Sequence, residues 1–347
     1  MSFRSYLLHI AGIAGLIFCF SFLTAQERTA KPRRFFSDDS FWNTPIPAKA
    51  SVDPRSDHYI DLLKQRAKNN FVSVNLYRWT IPVYEADGST PGRTVKQRIY
   101  SEEELRAEGW SKFIRPGIRL SHGMRFGTEV PIPDGAVPDP ARDGHIAIVD
   151  WSRMLAWDMW DARKLADGTW ESSTGMVYPL NGNGIFLTQD FAVKTNESIH
   201  FYGPSRAAGV PAIAGLIMRD EVLTGEIRHK LSACTPVNAK REFVFPASWT
   251  DGHLEGGIPE GAVIQLDPDL ALDQFNLLPG ERAVATALQR YGVVDVDNGG
   301  GFAIYAEGLY GHPGQSWEGL LTPGGIGRIP AQYFRVLKLG DIVHDGH

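Results

Sequence analysis

Residues 143–161, DGHIAIVDWSRMLAWDMWD, read as a single β-hairpin, and alternation decides which of its side chains can meet. With a two-residue turn at Trp151 and Ser152, Ile146, Ile148, Leu155, Trp157 and Met159 share one face. His145, Ala147, Val149, Met154, Ala156, Asp158 and Trp160 share the other, with His145 directly opposite Asp158. The first face is a core. The second sets an imidazole, a carboxylate and an indole around small alanines, a mixture suited to a groove for a polar ligand. A four-residue turn keeps these faces, whereas a three-residue turn flips one strand relative to the other. Asp150 falls beside the turn and reads as turn chemistry, and Asp161 shares its parity and reads as structural.

The rest of the chain carries the same punctuation. It has 36 glycines, 22 prolines and 9 tryptophans, with aromatic and β-branched runs between the breakers. This predicts a mainly β fold, a β-sandwich or jelly-roll-like single domain over 35–347 with a few peripheral helices. Helices are expected at 56–68, capped by Ser56, and from the Ser101–Glu104 capping box to near Gly109. Another should run from Asp220, its cap, to Gly225, and a last one over 280–292. GEIRHKLSA reads as a strand with His229 facing inward and Arg228 and Lys230 facing away. VVDVDNGGGFAIYAE reads as a second hairpin turning at Asn298–Gly299.

Residues 1–25 read as a secretory signal peptide: Arg4, an apolar run from Ile10 to Leu23, and small residues before a cleavage site after Ala25. Residues 26–34 read as a basic tether. The expected location is secreted or periplasmic, with no membrane association after cleavage. Cys19 lies in the signal, so Cys234 would stand alone and no disulfide or cysteine metal site would form. A net charge of −5 without blocks of one sign argues against nucleic acid as a partner.

The chain has no phosphate-binding loop, no GxSxG elbow and no HExxH, which leaves carboxylates, histidines and aromatics. His145 and Asp158 would make a tuned acid–base pair, and Trp160 a flat platform for a sugar ring. His122 and Arg125, three apart in LSHGMRFG, could hold a sugar carboxylate. Glu221 and inward-facing His229 are further catalytic candidates. Asp295 and Asp297, alternating on one strand face, could act in catalysis or bind Ca²⁺, although no metal or other cofactor is predicted. His344 and His347 close an inert tail, and Asn196 starts a glycosylation sequon.

These groups predict an exported polysaccharide-degrading enzyme whose partner is a polysaccharide or oligosaccharide. A glycoside hydrolase needs two carboxylates, for which Asp158 would pair with Glu221 or with an Asp of the second hairpin. A polysaccharide lyase would use His145 or His229 as base, with Arg125 neutralising a uronate. Carboxylates outnumber well-placed cations, which favours the hydrolase. A non-catalytic glycan-binding or cell-envelope protein of the same fold is the alternative. The blocks FFSDDSFWNTPIP, PIPDGAVPDPARDGHIAIVDW, AAGVPAIAGLIMRDEVLTGEIRHKL and ALQRYGVVDVDNGGGFAIYAE resemble those of a family of secreted bacterial proteins. That resemblance implies export and a shared fold, and it assigns no catalytic residues.

Overall fold

The computed structural model describes residues 32–66, 71–107, 118–123, 126–194 and 199–345. The signal peptide, most of the tether, Ala67, Arg125, Asn196 and His347 lie outside these residues. Chain contacts gather Pro32–His347 into one unit. Strand residues outnumber helical ones, so the fold is mainly β. Among the described residues no helix is long and apolar enough to cross a membrane.

The largest sheet has six strands in the order Ser73–Asn75, Ala303–Tyr305, Leu231–Thr235, Val293–Asn298, Val263–Leu266 and Phe334–Val336. A second sheet orders Thr174–Pro179, Leu155–Trp160, Ile146–Asp150 and Val83–Glu85. Both are mixed. Leu231–Thr235 runs parallel to Val293–Asn298, and Val83–Glu85 runs parallel to Ile146–Asp150. The helix Pro279–Arg290 buries Val284, Ala287 and Leu288 as its 3.6-residue spacing predicts. Gly292 follows it with φ of 77°, a left-handed stop.

The hairpin at 143–161 forms, but with four turn residues. Ile146 pairs with Met159, Ala147 with Asp158 and Asp150 with Leu155. Asp150 explains the longer turn. Its Oδ1 accepts from the Ser152 amide at 2.8 Å, the Ser152 hydroxyl at 2.6 Å and the Arg153 amide at 2.9 Å. Burial pushes the Asp150 carboxyl up, but the bonds from Ser152 and Arg153 outweigh it and hold the group at about 2. The even turn preserves the expected faces while moving His145 off Asp158.

Those faces differ from expectation in what covers them. Ile146, Ile148, Trp157 and Met159 pack with Trp170 and Phe126. The other face is not an open groove. Ala147, Val149, Ala156, Met176 and Tyr178 share one apolar cluster with Val294, Val296, Ala303 and Tyr305 of the six-stranded sheet. His145 and Asp158 therefore project into the layer between two sheets.

The second expected hairpin does not form. Leu231–Thr235 lies between Val293–Asn298 and Ala303–Tyr305, bonded to both. The connection crosses the end of that strand, where the Gly299 amide donates to the Thr235 carbonyl at 2.9 Å. A Cβ at Gly299 would come within 2.5 Å of Cys234 Sγ, so the crossing needs glycine there.

Caps and facings also shift. Ser101 and Glu104 exchange both capping-box bonds, at 2.8 and 3.1 Å. Ser56 is not a cap: its hydroxyl accepts from the Val336 amide at 2.9 Å, tying the helix Ser56–Arg66 to the sheet. At Arg219–Thr224 the cap is Met218, not Asp220. Lys230 does not face away. It is buried, and its Nζ donates to the Phe41 carbonyl at 2.9 Å and to that of Thr44.

Candidate functional site

Arg206 is the one charge in the run PSRAAGVPAIAG, which threads between the two sheets, and it is fully buried. Its guanidinium lies 3.3 Å from the centroid of the Tyr305 ring. Nη1 is 3.8 Å from Asp297 Oδ2, and Nη2 donates to the Ala212 carbonyl at 3.5 Å. Nε and Nη1 have no hydrogen-bond partner. A buried cation so thinly bonded leaves much of its charge acting on its neighbours. It lowers the pKa values of Asp143, His145, Asp158 and Asp297.

Sheet topology supplies the carboxyls around it. Asp295 and Asp297 do not share one strand face as the alternation predicts: a bulge in Val293–Asn298 sets Asp295 opposite Ala233 and Asp297 opposite Cys234, two consecutive residues. Asp295 is buried and accepts from the Thr235 hydroxyl at 2.8 Å; burial pushes it up to about 8 against that bond. Asp297 accepts from the Tyr305 hydroxyl at 3.1 Å. Burial first, and then the Asp251 charge, hold Asp297 well above the usual carboxylate range against Arg206. Its side chain is still 18% exposed, so a ligand can reach it.

Glu260 is buried, and both of its oxygens lack a hydrogen-bond donor. Burial, and then the Asp251 charge, hold the Glu260 pKa well above its ordinary value. The Gly261 amide donates to the Asp295 carbonyl at 2.7 Å. Its φ is 92°, and a Cβ would sit 1.8 Å from the Val244 carbonyl oxygen. Asp143, half-buried in the loop before His145, is pushed to about 6 by burial and by Asp139.

His145 and Asp158 belong to this surround but do not pair. Asp158 accepts from the Ala212 amide at 2.6 Å, the Tyr178 hydroxyl at 2.7 Å and the Ser205 hydroxyl at 3.3 Å. Its bonds pin both sides of the segment that carries Arg206. Burial raises the Asp158 pKa. His145 is buried with Nδ1 unpartnered, and burial followed by the Arg206 charge keeps it neutral. Trp160 is half-buried at the strand end.

The remaining candidates lie elsewhere. His229 Nε2 is 2.9 Å from Glu221 Oε2, and Nδ1 is 2.7 Å from the Lys230 carbonyl. Both partners only accept, so both ring nitrogens carry protons. Burial pulls His229 down, but Glu221 and the Lys230 carbonyl outweigh it and raise the pKa. The pair adjoins a cavity of about 10 Å³ lined by Phe35, Phe36, Trp42, Asn43, Ile213 and Gly215, with neither His145 nor Asp158 in its wall. That is room for one water, not a sugar. His122 Nε2 donates to the Ser172 carbonyl at 3.0 Å, and its ring packs against Phe126. Asp161 is a structural hub, bonded to Arg98, Arg163, Tyr100 and Ser173. Among the described residues no three His, Cys, Asp or Glu side chains are grouped to hold a metal ion.

Arg206, Asp143, Asp251 and Glu260 were not singled out from the sequence. A lone arginine inside a run of small apolar residues was the available signal for the first. Comparison with protein-family models, with curated proteins and with solved structures gives no match.

Proposed function

We propose that the protein is an exported polysaccharide-degrading enzyme, a glycoside hydrolase rather than a polysaccharide lyase. Asp297 is its general acid and Asp143 the ionised partner. One observation carries this reading: two reachable carboxyls from separate segments are electrostatically coupled beside a buried arginine, with their pKa values raised to different levels. Asp297, raised well above the usual carboxylate range, is the group that holds its proton longer and can give it to a leaving oxygen, while Asp143, at about 6, ionises. Asp158 and His145 act beneath the site as positioning groups. The lyase reading loses support because His145 is buried and neutral, and His229 is committed to Glu221. The fold reading that accompanies it is a sandwich of the two larger sheets. Their shared apolar cluster supports this, and their parallel pairs argue against an antiparallel jelly roll.

The test is a screen of purified protein against neutral and uronic polysaccharides. Hydrolysis releases reducing ends without the ultraviolet absorbance of an unsaturated uronate, and Asp297→Asn abolishes the release. Absorbance appearing with the reducing ends means a lyase. Burial of His145, Asp158, Glu221 and His229 favours the second reading, a non-catalytic glycan-binding or cell-envelope protein. Binding without any product would establish that instead.

A further inference from the structure

Trp79 holds φ at 60°, in the left-handed region that a bulky aromatic residue avoids, and its side chain is 39% exposed. Nothing in the apolar clusters uses its ring. The strain is nevertheless enforced by a buried carboxylate. Asp139 Oδ1 accepts from the Trp79 amide at 3.2 Å, and Oδ2 accepts from the Thr80 amide at 2.9 Å and from the Thr80 hydroxyl. The Trp79 carbonyl accepts from Asn75 Nδ2 at 3.2 Å. Strain that the surroundings impose in order to display a ring marks a ligand contact more readily than a packing role.

The surroundings give the ligand's chemistry. Tyr310, also exposed, lies near Thr80 and Arg78, and the Arg78 guanidinium sits over the indole, 6.0 Å from its centroid. A flat apolar ring with a guanidinium over it and a phenol on the neighbouring segment matches a pyranose: C–H face on the indole, hydroxyls or a carboxylate on the polar groups. The same Asp139 leads to the carboxyl site. Its amide donates to the His145 carbonyl at 2.9 Å, and its charge raises Asp143. Ring and acid therefore hang on one loop.

We infer that Trp79, with Tyr310 and Arg78, is a glycan-stacking subsite that seats a sugar unit of the chain entering the carboxyl site. The inference rests on the polysaccharide reading above.

Glycine adopts φ of 60° freely, so Trp79→Gly removes the ring and relieves the strain together. The variant should melt at the wild-type temperature or above it. By affinity electrophoresis with mixed-linkage β-glucan, xylan, mannan, polygalacturonate and alginate, it should lose at least tenfold in affinity for whichever chain the wild type retains. Tyr310→Phe should lose less. A lower melting temperature makes the ring structural and overturns the inference. So does unchanged affinity, or a wild type that retains none of the five. A reducing-end assay on the same five separates the two readings. Binding that depends on Trp79 without cleavage leaves the subsite and removes the hydrolase. Cleavage with an unchanged KM in Trp79→Gly does the reverse.

Discussion

The Arg206 guanidinium stacks on the Tyr305 ring, 3.3 Å from its centroid, with the whole arginine excluded from water. Such a cation is tolerable only because carboxyls surround it. Arg206→Met keeps the bulk and removes the charge. It should destabilise the protein by about 3 kcal/mol at pH 7.5, because Asp143, ionised above about 6, loses its counter-charge. At pH 4 Asp143 is protonated and the loss should shrink. Urea unfolding at the two pH values checks this, and an equal loss at both would contradict the arrangement.

Activity should follow a bell-shaped pH profile. The acid limb rises through about 6 as Asp143 ionises, and the alkaline limb falls as Asp297, raised above the usual range, gives up its proton. Asp143→Asn should cut kcat by roughly 10²–10⁴. A profile with no inflection near 6 in the wild type would remove Asp143 from the pair.

Stability should fall as pH rises from about 4 to about 8. Asp295 titrates at about 8 when folded, against about 3.9 in an unfolded chain, so the folded form holds more protons across that window. Asp295→Asn keeps an acceptor for the Thr235 hydroxyl and cannot ionise. It should be more stable than wild type at pH 8.5 by roughly 2 kcal/mol and show a flatter dependence in denaturant titrations.

The Glu221–His229 pair has its own window. The His229 pKa is raised on folding, so its contribution is fully present below the unfolded value of about 6.5 and is lost as pH rises through the folded value. His229→Gln should cost about 2 kcal/mol at pH 5.5, and the gap to wild type should narrow above neutrality. Chemical denaturation across pH 5–9 would show it.

Face assignment in the 143–161 hairpin was legible because alternation depends only on whether the turn is even. What covered each face was not, since the partner strands begin more than 70 residues later in the six-stranded sheet. The Pro279–Arg290 helix could be read from its own periodicity. The false hairpin at 293–307 could not be recognised as such, because Asn-Gly is a local turn signal and the intervening Leu231–Thr235 is a distant segment. His145, Asp158 and Asp297 were visible as chemistry. Their common neighbour Arg206 was not, because only tertiary structure brings 143–158, 206 and 297 together.

The four residues 151–154 of the first hairpin set more than a turn. Deleting one of them would invert the whole Leu155–Trp160 strand, driving the Asp158 carboxylate among Ile146, Ile148 and Trp170 and turning Trp157 toward Arg206. Loop length in this protein is therefore a parity constraint: an even change slides the register but keeps each side chain on its face, and a single-residue change cannot.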